Sequence, residues 1–251
     1  MLAVQARSHY ALFATLLDYP SANYPTLVEA AAAGLEEDYP EPAARLRAFG
    51  KILPPSEGTL DEVALDEVQE IFTRSFDVQA ITTLGVGYVV FGDDYKRGEL
   101  LVNLNRELRA LDIDTGTELS DHLPTILRLM ARWEDEENSQ ELADQILHPA
   151  LARMIGEFSP KQTEHRNHLY KKHYKTLIDA SVERGTIFAE PLKALLAVLK
   201  QDFELGELQR PEVTSTFLQS VVREMEIEAE GGKKQAKRNN RRSKREPRRL
   251  V

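Results

Sequence analysis

Residues 188–203 read FAEPLKALLAVLKQDF, and their apolar side chains recur at intervals of three and four positions. Side chains at this spacing lie on one face of an α-helix, so the segment is predicted to be an amphipathic helix with one buried face. The apolar stripe consists of Phe188, Leu192, Leu195, Leu196, Leu199 and Phe203.

Helical stripes of the same kind recur along the rest of the chain. Only residues 81–91 have a β-like composition, and because a single strand has no partner, we predict a buried helix or an irregular crossing there. The sequence therefore predicts an all-α, single-domain helical bundle of roughly nine or ten helices. The clearest stripes are Val63, Val68, Ile71 and Phe72; Leu100, Leu101, Leu104, Leu108 and Leu111; Leu123, Ile126, Leu127, Met130 and Trp133; and Leu142, Ile146, Met154, Ile155 and Phe158.

Several polar residues are placed to begin helices. Residues 59–62 read TLDE, which predicts a capping box with Thr59 as the N-cap. Asp93 or Asp94 is predicted to cap the helix that contains Arg97. The helix that follows residue 122 is predicted to be capped by Ser120 or by the next residue, Asp121.

Two other local features carry backbone predictions. The dipeptide His148-Pro149 is predicted to kink or break a helix, because proline lacks the N–H that a helix interior needs. The glycines of Gly85-Val86-Gly87 do not complete a dinucleotide-binding loop, since no third glycine and no strand–helix context follow. We expect them to let two helices approach closely.

Composition excludes several classes of protein. The 251 residues include no cysteine, which rules out a disulfide scaffold, a thiolate zinc site and a cysteine nucleophile. No apolar run reaches the ~18–20 residues of a membrane span. Because the first residues lack a basic segment followed by a long apolar one, we expect no signal peptide there. We therefore expect a cytoplasmic protein without a membrane span.

Charge divides the chain into an acidic body and a basic tail. Residues 231–251 carry ten basic side chains and one acidic one, a net charge of +9, which leaves −18 for residues 1–230. We predict a helical domain over 1–228 and a disordered tail over 229–251. The tail raises an alternative function, a nucleic-acid-associated helical protein, although it has no aromatic residue for stacking and the acidic body opposes docking on phosphates.

The sequence offers only weak candidates for a metal site or a catalytic site. His165 and His168 could share a helix face with Glu164 as a metal site, but the neighbouring basic residues would repel a cation, so no metal and no cofactor are predicted. An enzyme that uses Asp121 and His122 for hydrolysis remains a further alternative, although no complete catalytic constellation is present.

Three short segments follow one another in an order that a known family shares. Together they resemble the redox-enzyme maturation chaperones, specifically the NarJ branch (the nitrate reductase delta subunit, related to TorD and DmsD), over roughly residues 8–180. One departure is Ser120, which stands where that branch has proline. The segments are Phe76-Asp77, then Gly92-Asp93 with Arg97-Gly98, then residues 118–124, which read ELSDHLP; residues 10–20, YALFATLLDYP, also resemble the family's first helix and its Tyr-Pro turn.

The resemblance implies binding and not catalysis. A chaperone of this family binds the apo catalytic subunit of a molybdenum oxidoreductase, often through its N-terminal leader, and assists cofactor insertion before membrane docking or export. The resemblance thus implies a cytoplasmic chaperone that binds unfolded protein in molybdoenzyme maturation, here nitrate reductase assembly and nitrate assimilation. It implies no cofactor held by the chaperone itself and a monomer or weak dimer.

The motif segments also supply candidate residues for binding the client. An acidic rim would complement an arginine-bearing leader. Because unperturbed histidine titrates near 6.5, binding is expected to vary between roughly pH 6 and 7.5, and Asp121→Ala is expected to cost the fold only a lost cap, about 0.5–2 kcal/mol. The candidates are Asp121, His122, Asp77, Asp93, Arg97, Leu123 and Pro124, with Tyr88 and Phe91 as an apolar floor.

Overall fold

The apolar stripe of residues 188–203 forms a buried helix in the computed structural model, which describes residues 7–159 and 184–207. The predicted all-α fold is confirmed: within the described ranges the chain forms helices joined by turns and no strand. The helices are α1 (His9–Leu16), α2 (Tyr24–Leu35), α3 (Pro40–Gly50), α4 (Glu62–Phe76), α5 (Val86–Phe91), α6 (Tyr95–Ala110), α7 (Leu123–Met130), α8 (Glu136–Leu142), α9 (His148–Glu157) and α10 (Ala189–Asp202).

The core brings the two ends of the described chain together. Helix α10 packs against α3 and α9, while α1 packs against α2 and α7. At the start of α10, the ring of Phe188 lies 5.2 Å from that of Phe72 and 5.6 Å from those of Phe49 and Phe76, measured between centroids. These tilted and edge-to-face contacts join α3, α4 and α10 through one aromatic cluster.

A buried hydrogen-bond network also connects the first and last described helices. The Asp202 carboxylate accepts hydrogen bonds from Tyr10 at 2.8 Å and from Tyr39, and it lies 2.7 Å from Nε2 of His9. Burial opposes ionisation of Asp202, but the hydrogen bonds from His9 and Tyr39 outweigh it and lower the pKa of this carboxyl. We call these four residues the Asp202 cluster.

Helix α4 begins two residues later than its predicted capping box. Its N-cap is Asp61, whose carboxylate accepts a 2.8 Å hydrogen bond from the Ala64 N–H. The capping box with Thr59 as N-cap is therefore wrong, because aspartate supplies the same acceptor two residues closer to the apolar stripe. The assignment of Val63 to that stripe is also wrong, since 79% of this residue is exposed.

The two other predicted caps have different outcomes. Asp94 is the N-cap of α6 and accepts from the Lys96 N–H at 3.0 Å, as predicted. Neither Ser120 nor Asp121 caps α7, whose N-cap is His122 without a side-chain hydrogen bond. That prediction is wrong because the two preceding side chains point into the structure, where Ser120 Oγ donates to the Leu101 carbonyl at 3.0 Å.

Residues 81–91 combine both predicted alternatives. Residues 81–85 are irregular and residues 86–91 form the short helix α5, which packs against α6 and α9. Gly87 provides the predicted close approach, because a Cβ built there would meet Asp121 Oδ2 at 2.7 Å. At Gly85 a Cβ would meet only ordinary contacts of 3.5 Å or more, so the expectation for that glycine is not confirmed.

The sequence predicts a kink or a break at His148-Pro149, and the helix does not break there. Residues 143–147 form a π-helical segment that joins α8 to α9, so the helix continues past the proline. Pro149 lies in the first turn after the π segment, where its missing N–H and its ring are accommodated by the change in helix type.

Several predictions concern residues outside the described ranges. These include the disordered tail at 229–251 and the weak metal site at His165 and His168. Among the helices of the described ranges, none is long and apolar enough to cross a bilayer. Within the same ranges, no group of three or more histidine, aspartate or glutamate side chains is arranged to hold a metal ion.

Candidate functional site

A cavity of about 410 Å³ lies where the three motif segments meet. Its wall includes Asp77 at the end of α4, Arg97 on the first turns of α6, and Asp121 with His122 just before α7. Four of the predicted site residues therefore line one cavity, although 44 positions separate the first from the last of them. We call it the motif cavity.

Backbone hydrogen bonds hold the segments around the cavity in register. The Val86 N–H donates to the Asp121 carbonyl at 2.9 Å, and the Leu123 N–H donates to the Leu84 carbonyl at 2.8 Å. This pair forms an isolated antiparallel bridge between Gly85 and His122. The loop before α5 and the segment before α7 are thus fixed to each other without any side chain.

An ion pair forms the inner wall of the cavity. Arg97 donates to the Asp121 carboxylate from Nε at 2.7 Å and from Nη2 at 3.3 Å. Asp121 is fully buried, whereas 21% of the Arg97 side chain is exposed. The hydrogen bond that Arg97 donates to Asp121 raises the pKa of Arg97, and the Arg97 guanidinium carbon lies 5.4 Å from the centre of the Tyr88 ring. The Asp121 carboxylate and the Tyr88 ring together fix the Arg97 guanidinium in place.

The helix that crosses behind this pair has no side chain at the point of contact. A Cβ on Gly87 would meet Arg97 Cγ and Leu100 Cδ2 at 3.2 Å each, in addition to the carboxylate of Asp121. Glycine at this position therefore lets α5 lie directly against the ion pair.

The outer rim of the cavity carries negative charge that has no partner among the described residues. Asp77 and Glu118 are both exposed, and neither carboxylate forms a hydrogen bond or ion pair with another residue of the described ranges. A third rim carboxylate, Asp18, is paired with Arg128. The rim therefore presents two carboxylates that a cationic side chain from another molecule can neutralise.

His122 lies between this rim and the buried ion pair. Burial lowers the pKa of His122 below its ordinary value of 6.5, while Glu118 and Asp18 act in the opposite direction and only partly offset it. The imidazole is therefore mostly neutral at pH 7. The pH range expected from the sequence, roughly 6 to 7.5, needs correction because it assumed an unperturbed histidine; the change falls below pH 6.5.

The floor of the cavity is apolar. It is formed by Leu17, Phe72, Phe76 and Leu84, all buried. Tyr19 stands at the edge, 59% exposed, with its ring 5.7 Å from that of Phe72 in an edge-to-face arrangement. The site therefore combines an apolar base with an acidic rim.

The remaining predicted site residues lie elsewhere. Leu123 and Pro124 are buried in the core at the start of α7. Tyr88 lines a second, open cavity of about 670 Å³, and Phe91 is half-buried, so the floor of the motif cavity is built from other side chains. Asp93 does not line the motif cavity and acts on Arg97 only through its charge.

Sequence reasoning missed several residues that line the cavity. Asp18 and Tyr19 belong to the segment at residues 10–20 that resembles the family's first helix, and that resemblance was the available signal. Glu118 belongs to the third motif segment but was not singled out. Phe72 was recognised only as part of a helical stripe, since periodicity does not distinguish a core residue from a cavity floor.

The chemistry of the arrangement favours binding. The Asp121 carboxylate is engaged by Arg97, so it is not positioned to orient His122 as the base of a hydrolytic site. The exposed carboxylates and the apolar floor match a peptide segment that carries basic and apolar side chains side by side. No family model, no curated protein and no solved structure matches this chain in comparisons with all three.

Proposed function

We propose that this chain is a cytoplasmic, system-specific chaperone that binds the apo catalytic subunit of a nitrate reductase-like molybdenum oxidoreductase through its N-terminal leader. One observation carries the proposal. The three segments that resemble the maturation chaperones line a single cavity, with Asp77, Arg97, Asp121 and His122 on its wall. A role limited to capping helices does not require these segments to line a common cavity.

The cavity suggests how a leader would be held. A basic side chain of the leader would lie between Asp77 and Glu118, where each carboxylate can accept charge-assisted hydrogen bonds. An adjacent apolar side chain would contact Phe72 and Phe76 on the floor. A leader in helical conformation places basic and apolar side chains on neighbouring faces, which suits this arrangement.

The proposed role is binding without turnover. By holding the leader, the chaperone would keep the apo subunit from membrane docking or export until the molybdenum cofactor is inserted. The ion pair of Arg97 and Asp121 acts as a positioning element in this role, because it fixes the segment that carries His122 against α6. The chaperone itself would need no cofactor and would act as a monomer or weak dimer.

Co-purification with a pair of matched variants tests the proposal. Asp77 and Asp66 are both exposed aspartates of α4 or its C-cap, but only Asp77 lines the cavity. We expect tagged wild-type protein and Asp66→Lys to recover a molybdenum oxidoreductase catalytic subunit from its native cells, identified by mass spectrometry. Asp77→Lys should recover at least about tenfold less, since two like charges then meet. Equal recovery by both variants would contradict the proposal.

A further inference from the structure

The motif cavity and the basic tail of this chain are chemically complementary. The rim offers Asp77 and Glu118 without partners among the described residues, above a floor of apolar side chains. The tail, residues 231–251, carries a net charge of +9, and its residues 248–251 read RRLV, two guanidinium groups followed by two apolar side chains. Residues 248–251 therefore contain guanidinium groups that can pair with the acidic rim and apolar side chains that can pack on the apolar floor.

We propose that the basic tail, residues 231–251, binds in the motif cavity as an intramolecular competitor of the client leader. The competition, though not the docking itself, rests on the proposed function. A tail held in the cavity would shield the acidic rim and the exposed Tyr19 until a leader with stronger contacts displaces it. The chaperone would then be selective against weakly basic peptides that lack the matching apolar side chain.

The length of the intervening chain permits this contact. Residues 208–230 separate the last described residue, Glu207, from the tail, and that length of extended chain spans up to roughly 80 Å. A domain of this size has a radius of gyration of about 16 Å, so the tail can reach every face of it. The net charge of −18 on residues 1–230 attracts the tail to the acidic body as a whole. The motif cavity differs from the other acidic surface of the described residues because an apolar floor lies beside its two rim carboxylates, which suits the basic and apolar side chains of residues 248–251.

The absence of cysteine allows a direct test with spin labels. One label is attached to the tail through Ser243→Cys and the other to the cavity wall through Leu119→Cys, a residue that is 54% exposed. The control places the second label at Val63→Cys on the far end of α4, which lies fourteen positions before Asp77, or about 20 Å along the helix. Distances are measured in the full chain by pulsed electron spin resonance.

At low ionic strength we expect the Leu119–Ser243 distance to be about 15–20 Å shorter than the Val63–Ser243 distance. The short distance should disappear at about 1 M salt, where the Debye length falls to ~3 Å, and with Asp77→Asn combined with Glu118→Gln. Equal distances for the two pairs, or a short distance to Val63, would overturn the proposal, because the tail would then lie elsewhere.

Competition is measured separately with the leader peptide of the client that co-purifies. Replacing Arg241, Arg242, Arg248 and Arg249 by glutamine in the full chain should tighten leader binding by several-fold, up to about tenfold, because a tethered competitor acts at millimolar effective concentration. Unchanged affinity would overturn the competition. If the leader binds neither protein while the Leu119–Ser243 distance is short, the tail docks and the proposed function is what fails.

Discussion

At the scale of single residues, Asp121 is the side chain whose loss should affect the molecule most. Asp121→Ala leaves Arg97 without its carboxylate in a largely buried position, so we expect a decrease of about 2–4 kcal/mol in the free energy of unfolding. This exceeds the loss of a helix cap that the sequence predicted. Urea denaturation of the variant measures the difference.

The double variant Arg97→Met with Asp121→Leu provides the control for this prediction. The double variant removes the charges of both residues and fills their places with apolar side chains of similar size. It should therefore recover part of the free energy of unfolding that Asp121→Ala loses. If Asp121→Ala were as stable as the wild type, the ion pair would contribute nothing to the fold and the account of the inner wall would be incorrect.

The lowered pKa of His122 predicts that the stability of the folded protein depends on pH. Because its pKa in the folded protein is lowered from 6.5, its contribution is fully present above pH 6.5 and is lost as the pH falls through the lowered value. His148, whose pKa burial also lowers, contributes with the same sign. We expect His122→Asn to reduce, without abolishing, the fall in melting temperature between pH 6.5 and 5, and an unchanged fall would contradict the assignment.

At the scale of helices, the contact of α5 with the ion pair makes a matched pair of glycine substitutions informative. Gly87→Ala places a Cβ 2.7 Å from the Asp121 carboxylate, whereas a Cβ at Gly98 in α6 meets nothing within 4 Å. We expect Gly87→Ala to lower the free energy of unfolding by about 1–3 kcal/mol. Gly98→Ala should raise it by about 0.5–1 kcal/mol through helix propensity. Thermal denaturation of both variants checks the contrast, and equal effects would contradict it.

The helices also show how much the sequence can predict. The periodicity of residues 188–203 correctly places Leu192, Leu195 and Leu199 in the core, because burial of one face sets that spacing. The N-terminus of α7 was not predictable from local residue types, whereas the cap of α4 is a local aspartate two residues beyond the predicted one. Ser120 and Asp121 are good N-cap residues, yet tertiary partners on α6 engage their side chains instead.

The same limit applies to the cavity. Asp77, Arg97, Asp121 and His122 were found because each belongs to a motif segment, but their convergence depends on a backbone bridge that has no sequence signal. The floor residues could not be distinguished from the ordinary core, since both are apolar and helical. Sequence alone therefore indicates which residues carry chemistry and leaves their mutual geometry open.

At the scale of the whole molecule, the Asp202 cluster joins α1 to α10 across the described chain. Asp202→Ala would leave His9, Tyr10 and Tyr39 without their common acceptor, all within the interior. We expect a loss of about 2–4 kcal/mol in the free energy of unfolding with little effect on leader binding, because no member of the cluster lines the motif cavity. Chemical denaturation of the variant measures the free energy of unfolding, and titration of the same preparation with leader peptide measures binding. A selective loss of leader binding would contradict the separation of these two regions.

The central claim is that the acidic rim of the motif cavity binds the client leader, and calorimetric titration of that leader tests it most directly. Asp77→Asn and Glu118→Gln alter exposed carboxylates and should leave the melting temperature unchanged, while each weakens leader affinity about fivefold. Asp66→Asn, an exposed aspartate outside the cavity, should bind as the wild type does. Wild-type affinity in both rim variants, or an equal loss in Asp66→Asn, would contradict the claim.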